Sequence, residues 1–76
     1  MPKLPVVTGA EAVKAFKRGG FIFHHQRGSH VILKHLEQRR RISVPVHSGP
    51  DLPPGTLSGI LGDAGLTVEQ FLELLK

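Results

Sequence analysis

Residues 20–47 read GFIFHHQRGSHVILKHLEQRRRISVPVH, and this stretch decides the fold of the 76-residue chain. Apolar and polar side chains alternate in three short runs, which are separated by Gly28-Ser29 and by a basic turn. Alternation of this kind is typical of strands with one buried face. Pro45 has no N–H to donate to a neighbouring strand, so we expect the third strand at an edge of the sheet. The stretch therefore predicts a three-stranded antiparallel sheet.

The segment before the strands predicts a helix. Thr8 precedes Glu11 by three residues, which is the spacing of a capping box at a helix start. Apolar residues follow at helical spacing. The glycine pair that begins at Gly19 provides a stop, because glycine accepts the left-handed conformation found after a helix C-terminus. We expect the first helix over residues 9–18.

The segment after the strands predicts two further helices. Pro54 precedes an apolar stripe that indicates a helix over residues 55–64, and Gly65 provides its stop. Thr67 and Gln70 then repeat the capping-box spacing ahead of a last apolar segment. The order of helix, three strands, helix and short helix predicts an α+β two-layer sandwich with helices on one face of the sheet.

The register of the first hairpin has two solutions. A two-residue turn would pair Arg27 with His30 and place Phe23 on the same face as His30. A three-residue loop at positions 27–29 would instead group Phe23 with Leu33. The second solution keeps the apolar side chains together, and we favour it for that reason.

For the second hairpin, apolar matching predicts that Val31 lies opposite Val46. This register places His30 opposite His47 on the polar face of the sheet. The same face is expected to carry Lys34, Ser43 and Arg41.

Composition limits the function classes. The net charge is +4 and the pI is about 10.2, which favours a polyanion or an acidic protein as partner. The chain has no cysteine and therefore no disulfide or thiolate metal site. It has no apolar run of about 20 residues, as a membrane span needs, and no signal-peptide pattern at its start. We expect a single domain over residues 1–76, located in the cytoplasm and without membrane contact.

Short motifs occur in a fixed order along the chain. They are Gly20-Phe21, Gly28-Ser29-His30, Val44-Pro45-Val46-His47, Pro54-Gly55-Thr56-Leu57, Ile60-Leu61 and Ala64-Gly65. This ordered set resembles the HicA family, whose members are toxins of bacterial and archaeal toxin–antitoxin pairs. The resemblance covers nearly the whole chain and implies a double-stranded-RNA-binding-domain-like fold, cleavage of messenger RNA and a HicB-type antitoxin as partner. It also implies that His30 is the catalytic histidine.

The chemistry of RNA cleavage is compatible with these residues. RNA supplies its own nucleophile, the 2′-hydroxyl, so an enzyme needs a base, an acid and cations around the phosphate. Histidine can serve as base or acid near neutral pH. His30 is the candidate catalytic residue and His47 a possible second group, with no metal or other cofactor and with DNA not expected as a substrate. The candidate RNA-binding residues are Arg27, Ser29, Lys34, Arg39, Arg40 and Arg41.

The histidines and the basic residues also have simpler interpretations. The histidines at 24, 25 and 35 are expected to be surface or sheet-edge residues, and the arginine run can be a solvated turn. The five histidines lack the helical spacing and the carboxylate or thiolate partners of common metal sites. A non-catalytic RNA-binding module, or a domain that binds an acidic protein, would also account for the basic sheet.

Overall fold

Three helices and one three-stranded antiparallel sheet make up the computed structural model, which describes residues 3–46 and 51–76. The predicted α+β class and the predicted order of elements are confirmed. In chain order the elements are α1 (Gly9–Arg18), β1 (Ile22–Arg27), β2 (His30–His35), β3 (Arg40–Pro45), α2 (Pro54–Ala64) and α3 (Val68–Leu75). Sheet order is β1-β2-β3, so β3, with its proline, is an edge strand as expected.

The helix starts follow the predicted capping chemistry. The Glu11 backbone N–H donates to the Thr8 hydroxyl at 3.1 Å, and the Thr8 N–H donates to the Glu11 carboxylate at 2.9 Å. Thr67 and Gln70 form the same reciprocal pair at the start of α3. Helix α2 begins at Pro54, one residue earlier than predicted, because proline suits a first-turn position that needs no N–H donor. Within the described ranges, no helix is long and apolar enough to cross a membrane.

The β2–β3 hairpin has a different register from the one predicted. Val31 pairs with Val44 and His30 pairs with Pro45, a shift of two residues along β3. The predicted pairing of His30 with His47 is therefore wrong, and His47 itself lies outside the described residues. A shift of two keeps every side chain on its expected face, so apolar matching alone could not exclude it.

The β1–β2 hairpin combines parts of both predicted registers. Its turn has two residues and pairs Arg27 with His30, so the favoured three-residue loop is wrong. A β-bulge between Phe23 and His25 then shifts the ladder by one residue, and Phe23 pairs with Leu33 after all. Phe23 is nevertheless 52% exposed, because the helices lie mainly over β3.

The two faces of the sheet differ in what covers them. We call the side that packs against the helices the inner face, and the opposite side the outer face. The inner face contributes Leu33, Ile42 and Val44 to one apolar core. Phe16 of α1 lies between Phe21 and Phe71, with ring centroids 5.8 and 5.1 Å away. The outer face is not covered by any helix of the described residues and carries the polar side chains.

Candidate functional site

The outer face brings basic residues together around His30. In the register, Arg27 lies opposite His30 across β1 and β2, and Lys34 lies opposite Arg41 across β2 and β3. Ile32 sits between these pairs and is only 7% exposed. A shallow groove of about 470 Å³ crosses this surface. The residues that line it are Arg27, His30, Ile32, Arg41, Ile42, Ser43 and Asp63.

The turn before β2 fixes the position of His30. Gly28 adopts a φ of 59°, which suits the first central position of a two-residue hairpin turn. The Gln26 side chain donates to the Gly28 carbonyl at 3.0 Å, and the Val46 N–H donates to the Ser29 carbonyl. His30 then starts β2 with an exposed imidazole. A short, hydrogen-bonded turn therefore presents this side chain to solvent beside the groove.

The arginine run is divided between two sides of the sheet. Arg41 lines the groove on the outer face. Arg40 alternates to the other side, where its guanidinium donates to the Asp63 carbonyl at 3.4 Å and lies against Gly65. Arg39 occupies the turn with a φ of 53°. The three arginines therefore differ in their individual contacts, although all three also line one cavity of about 220 Å³ together with Lys34.

Two histidines on β1 form a pair that the sequence pattern does not predict. The bulge breaks the alternation, so that His24 and His25 lie side by side with ring centroids 4.7 Å apart and rings inclined by 71°. Their Nδ1 atoms are in hydrogen-bond contact. Strict alternation would have placed these two side chains on opposite faces. The only available signal was the loss of apolar–polar alternation after Phe23.

The charges of the outer face act on this pair. Partial desolvation lowers the pKa of His24 below its ordinary value, and the nearby charges of Lys34, His25 and Arg41 lower it further. Lys34 and Arg41 are one cross-strand pair. These effects favour the neutral form of His24.

Among the predicted site residues, the structure brings Arg27, His30, Lys34 and Arg41 together on one face. It places Ser29, half-buried, in the adjoining turn and bonds Arg40 to the Asp63 carbonyl. No group of three His, Asp or Glu side chains within residues 3–46 and 51–76 is arranged to hold a metal ion.

A family model described as the HicA toxin of bacterial toxin–antitoxin pairs matches residues 9–66, which include α1, the whole sheet and α2. The chain belongs to the HicA toxin family. As a HicA-family toxin, it is the toxic member of a toxin–antitoxin pair, and the family implies an antitoxin as its partner. A comparison with curated proteins finds no significant match.

Proposed function

We propose that this HicA-family toxin is an endoribonuclease that cleaves messenger RNA without a metal cofactor, with His30 as a catalytic residue. The observation that carries the proposal is the position of His30. Its exposed imidazole stands opposite Arg27 at the end of a groove that also contains Arg41. A proton-transferring group and phosphate-binding cations therefore share one solvent-exposed face.

The charges suit a bound RNA backbone. Arginine offers a planar fork of N–H donors that matches two phosphate oxygens, whereas lysine acts as a point charge. Arg27 and Arg41 lie on either side of the groove, and Lys34 extends the positive surface along β2. Apolar Ile32 forms part of the groove lining and can contact a ribose or base. RNA held there would place a phosphate beside His30.

Replacing His30 by alanine tests the catalytic role. We expect His30→Ala to reduce cleavage of a defined transcript by about 10²–10⁴, since proton transfer by a positioned side chain contributes a factor of that size. The thermal melt should stay close to that of the parent, because an exposed side chain leaves no core cavity. His35→Gln is the matched control: His35 packs edge-on against Phe21, with ring centroids 5.2 Å apart, away from the groove.

A His30→Ala chain that melts normally and cleaves at the parent rate would overturn the catalytic role. If the parent chain binds RNA but leaves it intact, the protein is instead a non-catalytic RNA-binding module. Binding should then still weaken steeply with salt, as expected for phosphate contacts.

The nature of the nucleophile can be tested separately. If the 2′-hydroxyl attacks the phosphate, DNA should be untouched, and EDTA should not slow the cleavage of RNA. The products should carry a 2′,3′-cyclic phosphate or a 3′-phosphate. Loss of activity in EDTA, followed by recovery on addition of magnesium or zinc, would contradict the metal-independent mechanism.

The inhibiting partner is proposed to be a HicB-type antitoxin that covers His30 and presents acidic groups to Arg41. Production of the chain alone should arrest bacterial growth and shorten messenger RNA half-lives, and co-production of the antitoxin should restore both. An Arg41→Glu variant should bind the antitoxin more weakly, because it places like charges together. Normal growth with intact transcripts, despite soluble expression, would contradict the toxic activity.

A further inference from the structure

The histidine pair on β1 supplies the outer face with a second group for proton transfer. Resting on the proposed function, we propose that His25 removes the proton from the RNA 2′-hydroxyl and that His30 protonates the leaving 5′-oxygen. His24 acts as the residue that positions His25. This assigns a role to two side chains that are simple surface residues if each is considered alone.

The sheet register places His25 at a suitable distance from His30. Arg27 pairs with His30, and His25, two residues before Arg27, pairs with Ile32. His25 and His30 are therefore diagonal neighbours on the outer face, a relation that separates positions by about 7–8 Å. Two side chains at this spacing can approach one phosphate from opposite sides. The groove is lined by His30 and by Ile32, the residue that pairs with His25.

The bulge is what allows His24 to support His25. Without it, consecutive strand residues would point to opposite faces. With it, the two rings meet at an angle of 71° with their Nδ1 atoms in contact. Bulges often redirect a side chain next to a functional site. Here the redirected ring lies beside a second imidazole.

The contact between the two Nδ1 atoms selects the protonation state of the pair. Only one of the two facing nitrogens can carry the hydrogen, because one must donate and the other accept. Partial desolvation, with the charges of Lys34 and Arg41, lowers the pKa of His24 and favours it as the neutral acceptor. His25 then donates its Nδ1–H and leaves its Nε2 unprotonated, as a base requires.

The groups that face the pair are almost all cationic. The negative charge of a bound RNA phosphate would offset these cations. The pair would then accept the proton of the 2′-hydroxyl more easily. The titratable and charged groups on this face are Arg27 from β1, His30 and Lys34 from β2 and Arg41 from β3.

The proposed step balances in atoms and charge. The 2′-oxygen gives its proton to His25 Nε2 and forms a bond to phosphorus. The bond between phosphorus and the 5′-oxygen breaks, and that oxygen takes a proton from His30. The products are a 2′,3′-cyclic phosphate and a 5′-hydroxyl. Exchange with water then returns His25 to its neutral form and His30 to its protonated form.

Three substitutions on β1 test the two roles with a common transcript. His25→Gln should lower the cleavage rate by about 10²–10⁴, as expected for loss of a general base. His24→Phe keeps a ring but removes the acceptor, and should lower the rate roughly 10- to 100-fold, the effect of one lost hydrogen bond to a charged group. His24→Asn retains an acceptor oxygen and should recover much of that loss. His35→Gln should cleave like the parent.

A pH profile and an NMR measurement separate catalysis from a structural effect. The parent should lose activity at acid pH, where a general base cannot accept a proton, and His25→Gln should lack this acid limb. In the inactive His30→Ala chain, ring-nitrogen NMR should find the shared hydrogen on His25 Nδ1 and none on His24 Nδ1. Absence of a hydrogen bond between the two rings would overturn the inference, and this result does not depend on whether the β1 variants fold.

The outcomes distinguish this inference from the function on which it rests. If His30→Ala is inactive while His25→Gln cleaves at the parent rate with the parent's pH profile, the base lies elsewhere and the role of His30 survives. If the parent itself cleaves no RNA, the proposed function fails and the inference fails with it.

Discussion

The two edge strands of the sheet, β1 and β3, differ in how deeply their side chains are buried. In β3 buried and exposed residues alternate, and Ile42 and Val44 are almost completely buried beneath the helices. In β1 no residue is fully buried, and Ile22 and Phe23 are about half exposed. Helices α1 and α2 pack on β3, whereas the main contacts of β1 are with β2.

Because of this difference, β3 mainly stabilises the fold, whereas β1 mainly carries residues of the candidate site. A regular ladder holds β3 against the core, and irregularity there would expose apolar side chains. Strand β1 has few core contacts to lose, so it accommodates a bulge that places His24 beside His25. The strand that contributes least to the core is therefore the one that departs from regular geometry at the candidate site.

The largest expected effect compares one apolar residue from each strand. Ile42 is 1% exposed, and we expect Ile42→Ala to lower the free energy of unfolding by about 2–5 kcal/mol. Phe23→Ala should cost less than about 1 kcal/mol, because roughly half of that ring is already in water. Denaturant melts of the two variants measure both values. Equal losses would contradict the separation between the strands.

A glycine at the start of α1 tests how closely the helix is held to β3. A Cβ atom at Gly9 would lie 2.2 Å from the Pro45 carbonyl oxygen, and backbone cannot easily move away. Gly9→Ala should therefore destabilise the chain by about 1–3 kcal/mol, the usual cost of overpacking. Gly55→Ala is the control: it meets nothing within 4 Å and should stabilise the chain by about 0.4–1 kcal/mol. If Gly9→Ala is as stable as the parent, the Pro45 backbone can move away from the added Cβ atom.

Two adjacent arginines of β3 test whether the outer and inner faces of the sheet differ in RNA binding. Arg41→Ala should weaken RNA binding and reduce the slope of log K against log salt by about 0.7, the contribution of one phosphate contact on a single strand. Arg40→Ala should leave the slope unchanged and instead lower stability slightly, because Arg40 is bonded to the Asp63 carbonyl. Equal slopes for both variants would contradict the assignment. Filter binding at several salt concentrations provides the measurement.

The smallest expected effect concerns the cap of the helix that covers β3. Hydrogen bonds from the Thr8 backbone and then its side chain lower the pKa of Glu11 below its ordinary 4.5. A lowered folded-state pKa stabilises the fold above the unfolded pKa, and this contribution is lost as pH falls through the folded value. The stability difference between the parent and Glu11→Gln should therefore shrink as the pH falls below the ordinary value of 4.5. A difference that is constant with pH would contradict this linkage.

The sequence predicted those features that depend on local chemistry. Thr8 and Thr67 mark both capping boxes, and the alternation in β2 and β3 assigned their side chains to the correct faces. The register was not determined in the same way, because Val44 and Val46 are equally good partners for Val31. Pairing with either one keeps the faces unchanged, and only the packing of the helices on β3 selects between them.

The candidate site was predicted only in part, because only some of its residues follow the local pattern of the sequence. His30, Arg27 and Arg41 reach the outer face through regular alternation, which the sequence displays. The contact between His24 and His25 arises from a bulge. The loss of alternation after Phe23 shows where the pattern changes, but it does not specify that the two rings meet on one face.

The sparse burial of β1 also bears on how this protein can change over generations. Substitutions at exposed positions usually alter stability by no more than about 0.5 kcal/mol, so selection for folding tolerates many of them. Strand β1 therefore offers several adjacent positions where new side chains can arise at little risk to the fold. Descendants of this chain can vary the surface that we propose to bind RNA through β1, while β3 and its helices stay as they are.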